Sequence, residues 1–275
     1  MTKLLIGVLT LSLAIGISSL MITQKKKAPT LLGISPNSHL LPENHLRFYV
    51  YFSEPMEQGF VYNADNIELF EGTKPIHFAF QHTELWNLDY TRLTLFLHPA
   101  RQKTDLRHNI SLGRVLQEGN NYRLHIKPQL YSAKGVPLKK GFTFHFKAGP
   151  EERSQIDPRK WVLTTPILHS HNPLKIQFKR VMDDELISDK LYIFDSNNKK
   201  IQGNFKTIKS KHCTFTPRQP WSKSNYQLRI NPELEDSCAN NCLKSFEMNS
   251  KTPAFVPIPY IDFKLQKSNT VQYDN

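Results

Sequence analysis

The densest group of side chains able to do chemistry lies between Phe70 and Tyr122. There Glu84, Trp86, Asp89, Tyr90 and Arg92 fall close together, with His77, His82, His98, Arg101, Lys103, Arg107 and His108 in the same segment. An indole and a phenol beside two carboxylates can stack on a sugar ring and hydrogen-bond its hydroxyls, and loops on rigid scaffolds are where binding usually resides. The competing expectation is structural: Trp86 plugs a core or a joint while its polar neighbours are solvated.

Other chemistries find less to work with. The chain has 11 histidines, but no His-Glu-x-x-His motif and no paired Cys/His spacing of a zinc site. His169-x-His171 is the nearest approach and reads as a polar linker. There is no Gly-x-Ser-x-Gly elbow, no phosphate-cradling glycine loop and no recognisable acid/base pair of carboxylates. No catalytic residue, metal ligand or cofactor is therefore assigned, and an enzyme is not expected. Of the 3 cysteines, Cys238 and Cys242 can close a small ring in an oxidising compartment, leaving Cys213 unpaired in a strand.

The elements that must position these residues show themselves as a repeat. Asn121-Tyr-Arg-Leu-His-Ile-Lys-Pro-Gln-Leu130 and Asn225-Tyr-Gln-Leu-Arg-Ile-Asn-Pro-Glu-Leu234 are nearly the same sentence. In both, Tyr, Leu and Ile alternate as in a strand with one buried face, and each stops at a proline that cannot extend a ladder. Upstream, Leu46-Arg-Phe-Tyr-Val-Tyr-Phe52 and Leu174-Lys-Ile-Gln-Phe178 alternate likewise. Met56 and Met182, at equal distances beyond Phe52 and Phe178, read as flexible gap-fillers closing a core. Asn66–Phe70 matches Lys190–Phe194, and Arg92–Pro99 matches Cys213–Pro217. A last strand is expected over Phe142–Phe146 and, in the second copy, near Phe246. The predicted architecture is all-β: two tandem antiparallel β-sandwiches at 34–148 and 160–250. Tyr122 and Tyr226 suit a tyrosine corner, in which the hydroxyl binds upstream backbone.

The run Phe-Ser-Glu-Pro-Met at 52–56, then two strands, Asn-Tyr-x-Leu-x-Ile, Ala133-Lys134-Gly135 and Phe-x-Phe, resembles the bacterial Ig-like repeat of surface-layer proteins. The second copy departs from it, with Lys179-Arg180-Val181 replacing Ser-Glu-Pro and Cys238-Ala-Asn-Asn-Cys242 in the glycine loop. Glu84-Leu-Trp86, Arg92-Leu-Thr94, Pro99–Lys103, Trp161–Pro166 and Gln219-Pro-Trp221 extend the likeness to an uncharacterised family of exported bacterial two-repeat Ig-like proteins. Ala100 and Asp105 depart from that family's glycines. The resemblance implies an Ig-like fold and export; it implies no reaction.

Lys3 precedes an apolar run from Leu4 to Ile22, and Lys25-Lys26-Lys27 follows. Residues 1–27 are expected to be a cleaved signal peptide or an uncleaved signal anchor, with 4–22 a helix in the membrane if uncleaved. At the other end, 253–264 should lie extended along the second module or its edge, burying Phe255, Tyr260 and Phe263. Residues 265–275 lack that apolar content and are expected to be disordered, so that 251–275 forms an extended, partly disordered tail. The net charge of +12 reads first as a solvated basic surface; the alternative is an anionic envelope polymer or glycan as partner, met by Lys206, Lys209 and Lys211 or by Arg101, Lys103 and Arg107. Nucleic acid is not expected, because no motif accompanies the charge. The expected function is that of a non-catalytic exported or anchored envelope protein, periplasmic or at the cell surface. Its modules would serve as spacer or interaction scaffold. Two alternatives stay open: a carbohydrate-binding protein using Glu84–Tyr90, with Arg92, Arg101 and Lys103 alongside, and an enzyme with a site where the modules meet.

Overall fold

The computed structural model describes residues 27–102, 107–246 and 256–266. Lys103 and the apolar run 4–22 lie outside these. In the first half of the chain the strands are β1 (Leu31–Ser35), β2 (Leu40–Pro42), β3 (Arg47–Phe52), β4 (Ile67–Glu71), β5 (Lys74–Pro75), β6 (Leu85–Trp86) and β7 (Arg92–Phe96). Two short helices follow, α1 (Pro99–Gln102) and α2 (Arg107–Leu112), and then β8 (Asn121–Ile126) and β9 (Phe142–Gly149). The second half holds β10 (Val162–Thr164), β11 (Leu174–Gln177), α3 (Asp184–Lys190), β12 (Leu191–Asp195), β13 (Gly203–Ile208), β14 (His212–Pro217), β15 (Asn225–Ile230) and β16 (Tyr260–Lys264).

These strands build four sheets, so the described residues are mostly β. One pair of sheets, in the orders β1-β3-β7-β6 and β2-β9-β8-β4-β5, encloses a core that includes Phe48, Val50, Leu93, Leu95, Leu124 and Phe146. The other pair, β10-β11-β14-β13 and β12-β15-β16, encloses Ile176, Phe215, Trp221, Leu228 and Phe263 among others. Each is a β-sandwich: strand alternation turns one side chain in two onto the facing sheet, where apolar area leaves water. Met56 and Met182 are buried in these cores, as expected for gap-fillers.

The two halves agree in register. Val50 opposes Leu93 where Ile176 opposes Cys213, and Leu124 opposes Leu69 where Leu228 opposes Ile193. The correspondence extends past the strands: Met56 bridges Ser132, and Met182 bridges Asp236. Both tyrosine corners are formed. Tyr122 Oη accepts from the Gln117 N–H at 2.8 Å, and Tyr226 Oη accepts from the N–H groups of Ser222 and Lys223 at 3.0 and 2.9 Å.

The last strand of the second half differs from expectation. Phe246 lies in irregular chain, and the partner of β15 is β16, with Tyr226 opposite Phe263 as Tyr122 is opposite Phe146. The segment around Phe246 has polar neighbours and no alternation, so it cannot supply a half-buried strand; Tyr260–Lys264 can. Phe263 is buried as expected, but Tyr260 is exposed and Leu265 takes the second buried place. Phe255 lies outside the described residues. The prolines at 257 and 259 end the irregular stretch just before pairing begins, since neither could donate to the ladder.

Candidate functional site

The segment singled out for binding is occupied with its own architecture. Glu84 accepts from the N–H groups of Gly59 and Val61 at 2.8 Å each and from the Trp86 indole at 3.0 Å, so its carboxylate ties loop 59–61 to β6. The Trp86 ring packs on Phe52, centroids 5.8 Å apart, against the first core. Asp89 is exposed; its carboxylate accepts from Thr91 Oγ1 at 2.8 Å, and these bonds hold it below the usual carboxylate range. Tyr90 stands in the left-handed region at φ 57°, and its carbonyl accepts from Met56 N–H at 3.0 Å. The Asn87 side chain closes the turn by accepting from the N–H groups of Thr91 and Arg92. Trp86 is half-buried with one side of its ring packed toward the core, and the Glu84 carboxylate that would hold sugar hydroxyls already accepts three hydrogen bonds.

Arg101 is likewise spent. It is buried, and its guanidinium donates to the carbonyls of His77, Phe78, Leu112, Gly113 and Arg114. Burial pushes it below the ordinary arginine value. It organises the inserted chain as a hub of carbonyl contacts. Arg92 points elsewhere, to an ion pair with Glu185 and over the Tyr49 ring at 5.3 Å.

That ion pair belongs to a joint between the halves that the sequence did not reveal. The outward side chains of β3 and β7 meet the start of α3. Arg47 Nε donates to Asp183 Oδ2 at 2.7 Å, Arg47 Nη2 to Glu235 Oε2 at 2.5 Å, and Tyr49 Oη to Asp183 Oδ2 at 2.8 Å. Tyr51 Oη donates to Glu185. Asp184 Oδ2 accepts from Ser35 Oγ at 2.5 Å and Ser210 Oγ at 2.7 Å. Asp183 also caps α3, accepting from Glu185 N–H at 3.1 Å. Burial raises Asp183 and Asp184 above the ordinary carboxylate value, against the pull of Arg47 and Tyr49 on the first and of Ser35 and Ser210 on the second. Burial and then Asp183 raise Tyr49. Burial alone would depress Arg47, but Asp183, Tyr49 and Glu235 together hold it above its ordinary value.

The linker and the Cys238–Cys242 loop complete the joint. Asn44 Nδ2 donates to the Glu152 carbonyl at 2.8 Å, and Leu46 N–H donates to the Ser237 carbonyl at 3.0 Å. Arg180 pairs with Asp236 at 2.9 Å and donates to the Ser154 carbonyl at 2.8 Å. The expected Cys238–Cys242 bridge is not formed; both are free, buried thiols, as is Cys213. The loop is ordered by Asp236, which accepts from Cys238 N–H, Asn240 N–H and Asn240 Nδ2. Cys238 Sγ faces Asn44 Oδ1 at 3.2 Å.

As chemistry, the joint is mostly paired; among the described residues, Asp184 Oδ1, Arg92 Nε and both His45 ring nitrogens are buried without a hydrogen-bond partner. Its carboxylates are held by guanidinium, phenol and hydroxyl groups, and among the described residues no group of three or more His, Cys, Asp or Glu side chains is placed to hold a metal ion. Two signals could have exposed it in the sequence: three acids in a row at 183–185, and two tyrosines with an arginine on the nominally solvent-facing side of β3.

No protein-family model matches the chain, and no curated protein matches it. Among solved structures it is similar to surface layer protein SbsC, domains 1–6, at 10% identity and a TM-score of 0.33, over 88% of this chain and 26% of that one. The chain thus spans about a quarter of that SbsC structure. It is also similar to Escherichia coli alpha-2-macroglobulin spanning MG0-NIE-MG1 (10% identity, TM-score 0.31, 87% of this chain and 72% of that one). A third is the titin Ig tandem A164-A165 (10% identity, TM-score 0.22, 88% and 97%). Likenesses at this level assign no activity. Among the described residues, no helix is long and apolar enough to cross a membrane.

Proposed function

We propose that this chain is a non-catalytic envelope protein, exported and either released or anchored through residues 4–22, in which two tandem Ig-like sandwiches act as a spacer or interaction scaffold. The modules would be 34–148 and 160–250, the second completed by β16, with 1–27 as leader. One observation carries the reading. The outward faces of β1 and β3 are closed by Asp183, Asp184 and Glu185, so the two sandwiches meet through an Arg47–Asp183 ion pair and hydrogen bonds from Tyr49, Tyr51 and Ser35 rather than across an open cleft. A polar joint leaves relative motion as the default; in this reading the buried hydrogen-bonded network at the start of α3 limits that motion, which a spacer needs and a substrate cleft does not. The filled carboxylate of Glu84 weighs against the sugar-binding alternative, and the paired carboxylates at the joint weigh against an enzyme there.

The test has two parts. Expression with the native N-terminus should place the body outside the cytoplasm in a protease-accessibility assay. Spin labels at one exposed site in each sandwich should give a single narrow distance distribution. A cytoplasmic body overturns the envelope assignment, and a broad distribution overturns the rigid spacer.

A further inference from the structure

A cavity of about 360 Å³ opens in the second sandwich between the turn after β12 and the turn at Gln219–Ser222. Lys199, Lys200 and Arg218 line it, over a floor of Ile201, Pro220 and Trp221. All three cations are exposed, and Lys199 and Arg218 make no ion pair among the described residues. The acid at its edge, Asp195, is already engaged: its Oδ1 accepts from the N–H groups of Asn197 and Lys199 at 2.9 Å each.

The walls are fixed before any ligand arrives. The Trp221 indole donates to the Asn172 carbonyl at 2.8 Å, and its ring packs edge-on against Tyr226 with centroids 4.9 Å apart. The Tyr226 hydroxyl in turn holds the backbone of Ser222 and Lys223. On the far side of Asp195 and Tyr226 lies a second cavity of about 340 Å³, which both residues also line. Its polar groups form a chain: Arg229 Nη2 donates to Asn198 Oδ1 at 2.6 Å, Arg229 Nε to Gln227 Oε1 at 3.2 Å, and Gln227 Nε2 to Asp262 Oδ1 at 3.1 Å.

We propose that these two contiguous cavities bind a segment of an acidic polysaccharide, its carboxylate or sulfate groups on Lys199, Lys200 and Arg218 and its hydroxyls on Asn198, Gln227 and Arg229. Unpaired cations in a concave site concentrate a polyanion, and side-chain amides supply both donors and acceptors for hydroxyls. Single-stranded nucleic acid is disfavoured by the aromatic rings present. The rings that line the cavities, Trp221 and Tyr226, are buried and offer no open face for a base to stack on. The inference deepens the envelope reading, since such polymers are met outside the membrane.

The experiment is calorimetric titration of the full chain with a polygalacturonate oligomer, with neutral dextran and oligo-dT of equal charge as comparison probes. The triple variant Lys199→Gln/Lys200→Gln/Arg218→Gln should weaken polygalacturonate binding by about tenfold or more. The control Lys206→Gln/Lys209→Gln/Lys211→Gln, which removes the same charge elsewhere, should change it by less than about threefold. Asn198→Ala/Gln227→Ala should weaken polygalacturonate but leave inorganic polyphosphate unaffected. Thermal melts of each variant exclude unfolding as the cause. Equal losses in the two triples, equal binding of oligo-dT, or no binding by the wild-type chain overturns the site. Localisation does not enter this measurement: an exported chain that fails to bind leaves the envelope reading standing, and a cytoplasmic chain that binds sinks that reading alone.

Discussion

Tyr49 Oη lies 2.8 Å from Asp183 Oδ2, although the two residues are 134 positions apart and belong to different sandwiches. Around that bond Arg47 supplies the charge and the first turn of α3 supplies the geometry. Removing Asp183 leaves Arg47 with Glu235 alone, strips the buried Tyr49 hydroxyl of its acceptor and uncaps α3. Asp183→Ala should therefore destabilise by about 3–5 kcal/mol, and Tyr49→Phe by about 1 kcal/mol. Urea unfolding measures both. A loss for Asp183→Ala within the error of the fit would mean that the joint does not hold the sandwiches together.

The two tyrosine corners offer a comparison inside one molecule. Tyr122 satisfies one backbone N–H and Tyr226 satisfies two. Tyr226→Phe should cost more than Tyr122→Phe, about 2 kcal/mol against about 1 kcal/mol. The reverse order in denaturant midpoints would show that the hydroxyls contribute something other than backbone satisfaction.

Trp86→Ala and Glu84→Ala should behave as structural variants. Trp86 packs on Phe52 at the rim of the first core, and its truncation should cost about 2–3 kcal/mol. Glu84→Ala frees the N–H groups of Gly59 and Val61 and should quicken hydrogen exchange there. Polygalacturonate binding should survive both changes; its loss in folded protein would return the binding site to this segment.

His45 gives the chain a hidden pH dependence. It is fully buried at the joint and stacks edge-on against Phe48; neither ring nitrogen has a hydrogen-bond partner. Burial first, and Arg47 second, lower it from 6.5 to about 3; the nearby backbone of Ser237 and Arg47 acts weakly the other way without meeting hydrogen-bond geometry. A histidine depressed in the folded state contributes stability above 6.5 that is lost as pH falls from there toward 3. Asp236 runs opposite: burial raises it from 3.8 to about 6, so its penalty is present above 6 and is relieved as pH falls toward 3.8. The two nearly offset each other around pH 5, so the wild-type curve should be flat there. His45→Leu unmasks the difference, and its stability relative to wild type should rise by about 2 kcal/mol between pH 8 and pH 5. A pH-independent difference would show that His45 is not the group responsible.

The C-terminal strand sets the limit of truncation. Leu265 is buried, its N–H donates to the Ser224 carbonyl at 2.9 Å, and Gln266 bridges Ile167. Ending the chain after Gln266 should leave the melting temperature within a degree or two, whereas ending it after Phe246 removes β16 and should abolish cooperative unfolding of the second sandwich. A second sandwich that melts normally without β16 would make that strand an accessory.

The sequence by itself determined the repeated strands and their inward faces, but not β1, which lies in a stretch that reads as linker, nor β13. The alternation in 47–52, 121–126 and 225–230 is a local property, and burial of every second apolar side chain follows from strand geometry alone. It also placed Met56, Met182 and the two corner tyrosines, because their neighbours within a few positions dictate their surroundings. The strand opposite β15 was less legible: irregular chain separates β15 from β16, and spacing copied from the first half pointed to Phe246 instead. The candidate site was least legible. Arg47, Tyr49 and Tyr51 read as solvent-facing because a strand reveals which side each residue takes but not what covers that side. Only the docking of α3, more than a hundred residues downstream, decided that the second face is also closed. The same limit applies to Glu84, Trp86 and Arg101, whose residue types advertise binding. Glu84 and Arg101 are engaged by backbone groups of loop 59–61 and the inserted segment, and the Trp86 indole by Glu84 itself; tertiary packing brings the backbone groups within reach.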